Sequence, residues 1–295
     1  MKRVFQGSLV ALVTPFRDGR VDEAKLRELV EFHVAHGTDA LVPCGTTGES
    51  PTLSHEEHKR IIEVVIEAAA GRIPVVAGTG SNSTAEAIDM TVHAAKAGAA
   101  GSLQVAPYYN KPTQQGLYEH FKAIAEAAGI PLIIYNIPGR TGVNILPETL
   151  ARLAEVPNIV GVKEASGNLE QMTQVILACG PDFTVVSGDD TLTLPLMAVG
   201  GRGVISVIAN RLPRETAELT HAALDGDWKR ARELHLRLFP VSQAMFFETN
   251  PIPVKETMAM LGMLRAEWRL PMCPMSEANR QRLRAVLAKA GILKG

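Results

Sequence analysis

The sequence is poor in the residues that mark several large classes of protein. Cysteine occurs only at Cys44, Cys179 and Cys273, an odd number with no C-x-x-C pair, which argues against a disulfide framework and for a reducing compartment. No sign of charge dominates: 30 Lys+Arg stand against 31 Asp+Glu, a formal net charge of -1. A chain so balanced offers no strong field for nucleic acid or for an anionic membrane surface. It also lacks an unbroken apolar stretch of the length a membrane span needs. The opening MKRVFQGSLVALVTPF does place basic residues ahead of apolar ones, but Gly7, Ser8 and Pro15 interrupt the run and no small-residue cleavage site follows. A secretory signal is therefore not expected, and the protein is expected to be soluble and cytoplasmic. Missing too are H-E-x-x-H, the G-x-x-x-x-G-K-[ST] phosphate loop, and G-x-G-x-x-G after a strand; Gly78-Thr79-Gly80 begins the last pattern, but position 83 is Ser83. No metal, nucleotide or dinucleotide is indicated, and no cofactor is expected.

What the sequence does contain is a repeated unit. Short apolar, β-branched runs recur about every thirty to forty residues, the size of one strand and one helix. They lie near Leu9, Val42, Val76, Leu103, Ile133, Val160, Val185 and Ile205. Being apolar on both faces, they suit parallel strands covered on both sides. Between them stand helix starts: Asp22-Glu23, the capping box Ser54-His55-Glu56-Glu57, Ser83-Thr84 with Glu86, and Pro147-Glu148. At 295 residues the chain can hold a closed barrel of about 250 residues plus an extension. The expected fold is α/β, a (β/α)8 barrel with a C-terminal helical extension; an open doubly wound sheet is the alternative that pattern leaves standing. The expected division is residues 1–226 for the barrel and 227–295 for a helical part with helices over Asp227 to Phe247, Pro253 to Leu264 and Ser276 to Ala290.

One residue breaks the apolar pattern. Lys163 ends Ile159-Val160-Gly161-Val162-Lys163, where a buried strand position should be apolar. Alternation puts Ile159, Gly161 and Lys163 on one face, with Gly161 leaving space beside the lysine, and Val160 and Val162 on the other, under the helices. Coming late in its strand, Lys163 should lie at the C-terminal mouth, where barrel active sites are built. A free lysine amine is neutral in only ~0.04% of molecules at pH 7, yet attack on a carbonyl needs the neutral form. Burial can lower a lysine pKa by up to about 3–5 units, so the same placement makes a nucleophile. The competing reading pairs Lys163 with Glu164 or another acid, and the residue alone does not choose.

Other candidates fall at the same mouth. Gly45-Thr46-Thr47-Gly48-Glu49-Ser50 follows the second strand, and its hydroxyls and backbone donors suit a small carboxylate; a polar turn is the bland alternative. Tyr135 ends the fifth strand on the face of Ile133, either as a catalytic phenol or as a packed ring. Arg140 lies on the loop after it and suits a second carboxylate, or is simply solvated. Pro107-Tyr108-Tyr109-Asn110-Lys111-Pro112 is an aromatic loop fit to line a cleft or seal a subunit contact.

Taken together, Gly45-Thr-Thr-Gly-Glu-Ser50, Ala77-Gly-Thr-Gly80, Pro107-Tyr-Tyr-Asn110, Tyr135-Asn-Ile-Pro138, Arg140-Thr-Gly142, Val162-Lys-Glu-Ala165 and Ser187-Gly-Asp-Asp190 resemble the dihydrodipicolinate synthase family over almost the whole chain. The resemblance implies condensation of pyruvate with aspartate semialdehyde. It makes Lys163 the Schiff-base lysine and Tyr135 the acid/base at its side, with Thr47 and Tyr109 completing a proton relay and Tyr109 reaching into a neighbouring subunit's site. Thr46 and Thr47 would hold the pyruvate carboxylate and Arg140 that of the semialdehyde, with Gly188 and Ile205 close to the lysine. It implies a homotetramer of tight dimers. Ser50, His55, His58, Asn82, Glu86 and Tyr108 match an L-lysine effector site of lysine-sensitive members, although Pro51 stands where some of them carry alanine, and histidines three apart near a helix start also fit a solvated face. The same lysine and tyrosine serve N-acetylneuraminate lyase and 2-keto acid aldolases; the paired threonines, Tyr108-Tyr109 and Arg140-Thr141-Gly142 favour the synthase. A non-catalytic keto-acid-binding protein is a third, remoter reading.

Overall fold

The computed structural model of the chain describes residues 5–293. Eight parallel strands form one sheet: β1 (Gly7–Ala11), β2 (Ala40–Val42), β3 (Val76–Gly78), β4 (Gly101–Val105), β5 (Leu132–Asn136), β6 (Ile159–Glu164), β7 (Thr184–Ser187) and β8 (Gly203–Ser206). Around the sheet the order is β2-β1-β8-β7-β6-β5-β4-β3. A bridge from Leu41 to Val75 joins its two ends, and the expected barrel closes. The closure is thin, resting on backbone bonds from Leu41 to Pro74 O at 3.0 Å and from Gly78 to Pro43 O at 2.9 Å.

The longer helices that follow the strands are α1 (Glu23–Ala35), α2 (His55–Ala69), α3 (Thr84–Ala97), α4 (Gln114–Ala128), α5 (Pro147–Ala154), α6 (Leu169–Cys179), α7 (Thr193–Ala198) and α8 (Pro213–Leu224). Their starts are chemically specified. Asp22 accepts from Lys25 N, Ser83 from Glu86 N, and Ser54 and Glu57 form a reciprocal capping box. Inside the barrel, Leu9, Ala11, Val42, Val76, Leu103, Ile133, Val186 and Ile205 pack together, with Tyr135 at the top of the set. A small antiparallel hairpin, Phe16–Arg17 with Arg20–Val21, was not foreshadowed by the pattern: each arm is two residues long, too short to show a period.

After the barrel come α9 (Trp228–Ala244), α10 (Ile252–Met260) and α11 (Glu277–Lys289). Their apolar residues, including Leu234, Leu238, Val241, Val254, Met258, Leu283 and Leu287, join one core with Val10, Leu12, Leu26 and Ile62. The expected boundary at residue 226 falls in the gap between α8 and α9, and the apolar core runs across it.

Candidate active site

β6 does not alternate as simply as its sequence implies. Ile159 and Val162 pack outward under the helices, whereas Val160 belongs to the barrel interior. The cause is an irregularity in the pairing with β5, where Leu132 faces Ile159 but Ile133 faces Gly161. One extra residue exchanges the sides expected for Ile159 and Val160 and restores the phase in time for Lys163. Gly161 also has a different role from the one expected. A Cβ there would lie 2.4 Å from the Thr184 carbonyl oxygen, so the glycine lets β7 approach rather than making room for the lysine. That room comes from Gly188, whose Cβ would sit 3.0 Å from Lys163 Cε and 2.6 Å from Ala165 Cβ.

Lys163 is buried, and among the described residues it makes no salt bridge. Glu164 points to the other side of the strand, where Asn136 Nδ2 and the Ser166 backbone N–H donate to its carboxylate at 3.0 and 2.7 Å. The pairing of Lys163 with Glu164 is thereby excluded. Burial pulls the amine down to a pKa of about 7; the Asp190 carboxylate opposes the shift and the Arg140 guanidinium adds to it. Asp190 is itself buried and accepts from Ser206 Oγ at 2.6 Å and from the Val207 and Ile208 backbone at 2.9 and 3.1 Å. Its burial raises its pKa against those donors.

The Lys163 Nζ stands 4.3 Å from the centroid of the Tyr135 ring. Burial pushes the phenol up to about 12, opposed by the Arg140 charge and a hydrogen bond with Thr46. The adjacent Thr47 is buried, and its hydroxyl accepts from Asn250 Nδ2 at 3.0 Å. Arg140 lies not on a loop but within a short helix, Pro138–Thr141, and donates to the Asn250 carbonyl at 3.3 Å. Ile205 is fully buried in the interior set. Above these groups lies a cavity of about 250 Å³, lined by Thr46, Tyr135, Arg140 and Tyr108 among others. Tyr109, by contrast, is 90% exposed and does not line this cavity.

Beside the cavity the second group of candidates also gathers. His55 pairs with Glu86 at 2.5 Å, Ser81 donates to the same carboxylate, and Asn82 donates to Tyr108 O at 3.2 Å. Ser50 and Tyr108 line the cavity itself. His58 is not on a solvated face: it is buried, its Nε2 lies 2.6 Å from Gly78 O, and burial lowers its pKa. Two site residues escaped the sequence reading. Asn250 carries no local signal, while Asp190 stood in view in Ser187-Gly-Asp-Asp190 as an acid just past a barrel strand.

The Dihydrodipicolinate synthetase family matches residues 4–290. The chain belongs to that family. It is 57% identical over 290 residues to 4-hydroxy-tetrahydrodipicolinate synthase of Geotalea uraniireducens, covering 98% of this chain and 100% of that one. Among solved structures it is similar to the chloride-inhibited dihydrodipicolinate synthase of Acinetobacter baumannii complexed with pyruvate, with TM-score 0.96, 47% identity, and 98% and 100% of the two chains covered. It is likewise similar to the synthase from Cyanidioschyzon merolae with lysine bound, with TM-score 0.95, 45% identity, and 98% and 99% covered. Membership of the dihydrodipicolinate synthetase family gives the unpaired lysine at the barrel mouth a chemical context.

Proposed function

We propose that this enzyme works as a 4-hydroxy-tetrahydrodipicolinate synthase, joining pyruvate to L-aspartate 4-semialdehyde through an imine on Lys163. The observation that carries this reading is the buried, unpaired amine with its pKa near 7. At pH 7 about half of such amines are neutral, roughly a thousandfold more than for a free lysine. The amine nitrogen bonds to the keto carbon and water leaves. The resulting iminium accepts the electron pair released when a methyl proton departs, giving an enamine. Its carbon attacks the aldehyde, and the substrate's own amine then adds to the imine carbon, expelling Lys163 and closing the ring. Tyr135, packed against the amine, is the group placed to carry protons, and its contact with Thr46 links it to the threonine pair. Thr46 and Thr47 are assigned to the pyruvate carboxylate and Arg140 to that of the semialdehyde.

The assignment of Thr47 and Tyr109 to the proton relay asks more of the molecule. Tyr135 bonds to Thr46 and Thr47 to Asn250 in the single chain, so the relay is proposed for an assembly in which a second copy supplies Tyr109. We accordingly propose a homotetramer of tight dimers, acting in the cytoplasm; no helix among the described residues is long and apolar enough to cross a membrane. L-lysine is proposed as an effector at Ser50, His55, His58, Asn82, Glu86 and Tyr108. Glu86 would face its α-amine and Asn82 and Tyr108 its carboxylate. The test of the central reading is borohydride reduction in the presence of pyruvate. One adduct is expected on the peptide containing Lys163 and none in Lys163→Ala; an adduct that persists in that variant overturns the assignment.

A further inference from the structure

The appendix reaches back into the turn that carries Thr46 and Thr47. Lys255, on α10, has a side chain with no exposed surface, and its Nζ lies 2.5 Å from Oε1 of Glu49, whose side chain is 1% exposed. The other Glu49 oxygen accepts from the Arg269 backbone N–H at 3.2 Å. Lys255 also stands 4.4 Å from the centroid of the Phe16 ring. Asn250, five residues earlier in the same segment, is the residue that holds the Thr47 hydroxyl.

Glu49 has an unusual backbone, with φ 55 and ψ 34, a left-handed conformation that a non-glycine residue keeps only when its surroundings hold it. Its N–H donates to Thr46 O at 3.1 Å, while the N–H groups of Gly48 and Ser50 return to Gly45 O at 3.1 and 3.3 Å. A displacement of Glu49 is therefore passed directly to Thr46. A buried ion pair is poor evidence for stability, since desolvation offsets the attraction and apolar packing often does as well. What it supplies is direction, because a carboxylate fixed at both oxygens holds one orientation.

We propose that Lys255 and Glu49 are positioning residues, which hold the turn from Gly45 to Ser50 in the pose that lets Thr46 and Thr47 meet the keto-acid carboxylate. The proposal rests on the reading of Lys163 and the two threonines given above. Its signature is a loss in pyruvate capture with the imine chemistry left intact. Graded pyruvate with borohydride trapping on the full chain, alongside steady-state kinetics, separates half-saturation from the ceiling of adduct formed. Lys255→Met and the double variant Glu49→Gln/Lys255→Met are each expected to raise pyruvate half-saturation about tenfold or more, with the adduct still on Lys163 at saturation. The double variant leaves no unpaired buried charge and decides the matter if Lys255→Met alone does not fold. Should both fail to fold, Glu49→Asp, which keeps the charge and shortens its reach, decides by the same measurement.

Arg280→Met is the control. It breaks a different pair, between Arg280 of α11 and Glu256, the neighbour of Lys255 on α10, at 2.6 Å, and is expected to lower thermal stability without moving pyruvate half-saturation. Unchanged half-saturation in a folded double variant overturns the proposal, as does an equal rise in Arg280→Met. Absence of any adduct in the unsubstituted protein is a different result: it removes the reading of Lys163 and this proposal with it.

Discussion

Lys163 costs the fold what it contributes to the chemistry. Its folded pKa, about 7, lies below the unfolded value of about 10.4, so between those limits the unfolded chain binds more protons. Stability therefore rises with pH through this window, and the penalty is fully present below about pH 7. By linkage it amounts to a few kcal/mol at pH 7 and under ~1 kcal/mol by pH 10. Lys163→Met should thus be more stable than the unsubstituted protein at pH 7 and inactive, with the gain fading as pH approaches 10. Denaturant unfolding of both proteins between pH 6.5 and 10 measures this directly. A gain that does not change with pH would mean that the lysine is not held neutral by burial.

Helix starts position more than backbone. The first turns of α2 and α3 bring His55 and Glu86 into contact, and the loop after β4 lays Tyr108 beside Asn82. If L-lysine occupies this junction, Glu86→Ala removes a charged partner, a contact class worth about 1.5–3 kcal/mol. Inhibition by L-lysine should weaken about tenfold or more without comparable loss of uninhibited turnover. Titration in the assay with parallel calorimetry checks it, and neither binding nor inhibition at millimolar lysine would return the junction to ordinary surface. These caps were legible in the sequence because each joins residues only three apart, and Lys163 was legible because it contradicts its own strand. The irregularity in β6 was not, since it exists only in register with β5. Asn250 and Lys255 were hidden for a related reason: their partners lie 203 and 206 residues away, beyond any periodicity, and in sequence they read as ordinary polar positions of a helical appendix.

One chain by itself leaves Tyr109 in solvent. If a second copy receives that ring, inactive Tyr109→Phe and inactive Lys163→Ala proteins should recover part of the activity when mixed and allowed to exchange subunits. Lack of recovery, with exchange demonstrated by mass spectrometry, would count against a shared site. The barrel also carries an asymmetry in its own circumference. β2 and β3 are three residues each and meet through one bridge, whereas β5 and β6 pair along most of their length. Local opening follows the lines where fewest bonds must break, so the hoop is expected to breathe at this seam, and at the equally short pairing of β7 with β8, before it parts between β5 and β6. Little slack exists there when it is shut: a Cβ on Gly78 would lie 2.5 Å from Cys44 O, and the His58 ring spans the same gap to Gly78 O. The turn bearing Thr46 and Thr47 leaves the barrel from one lip of that seam. Its motion is thus tied to one of the two weak joints of the barrel, and whatever bridges α2 to α3 from outside acts as a strap across it.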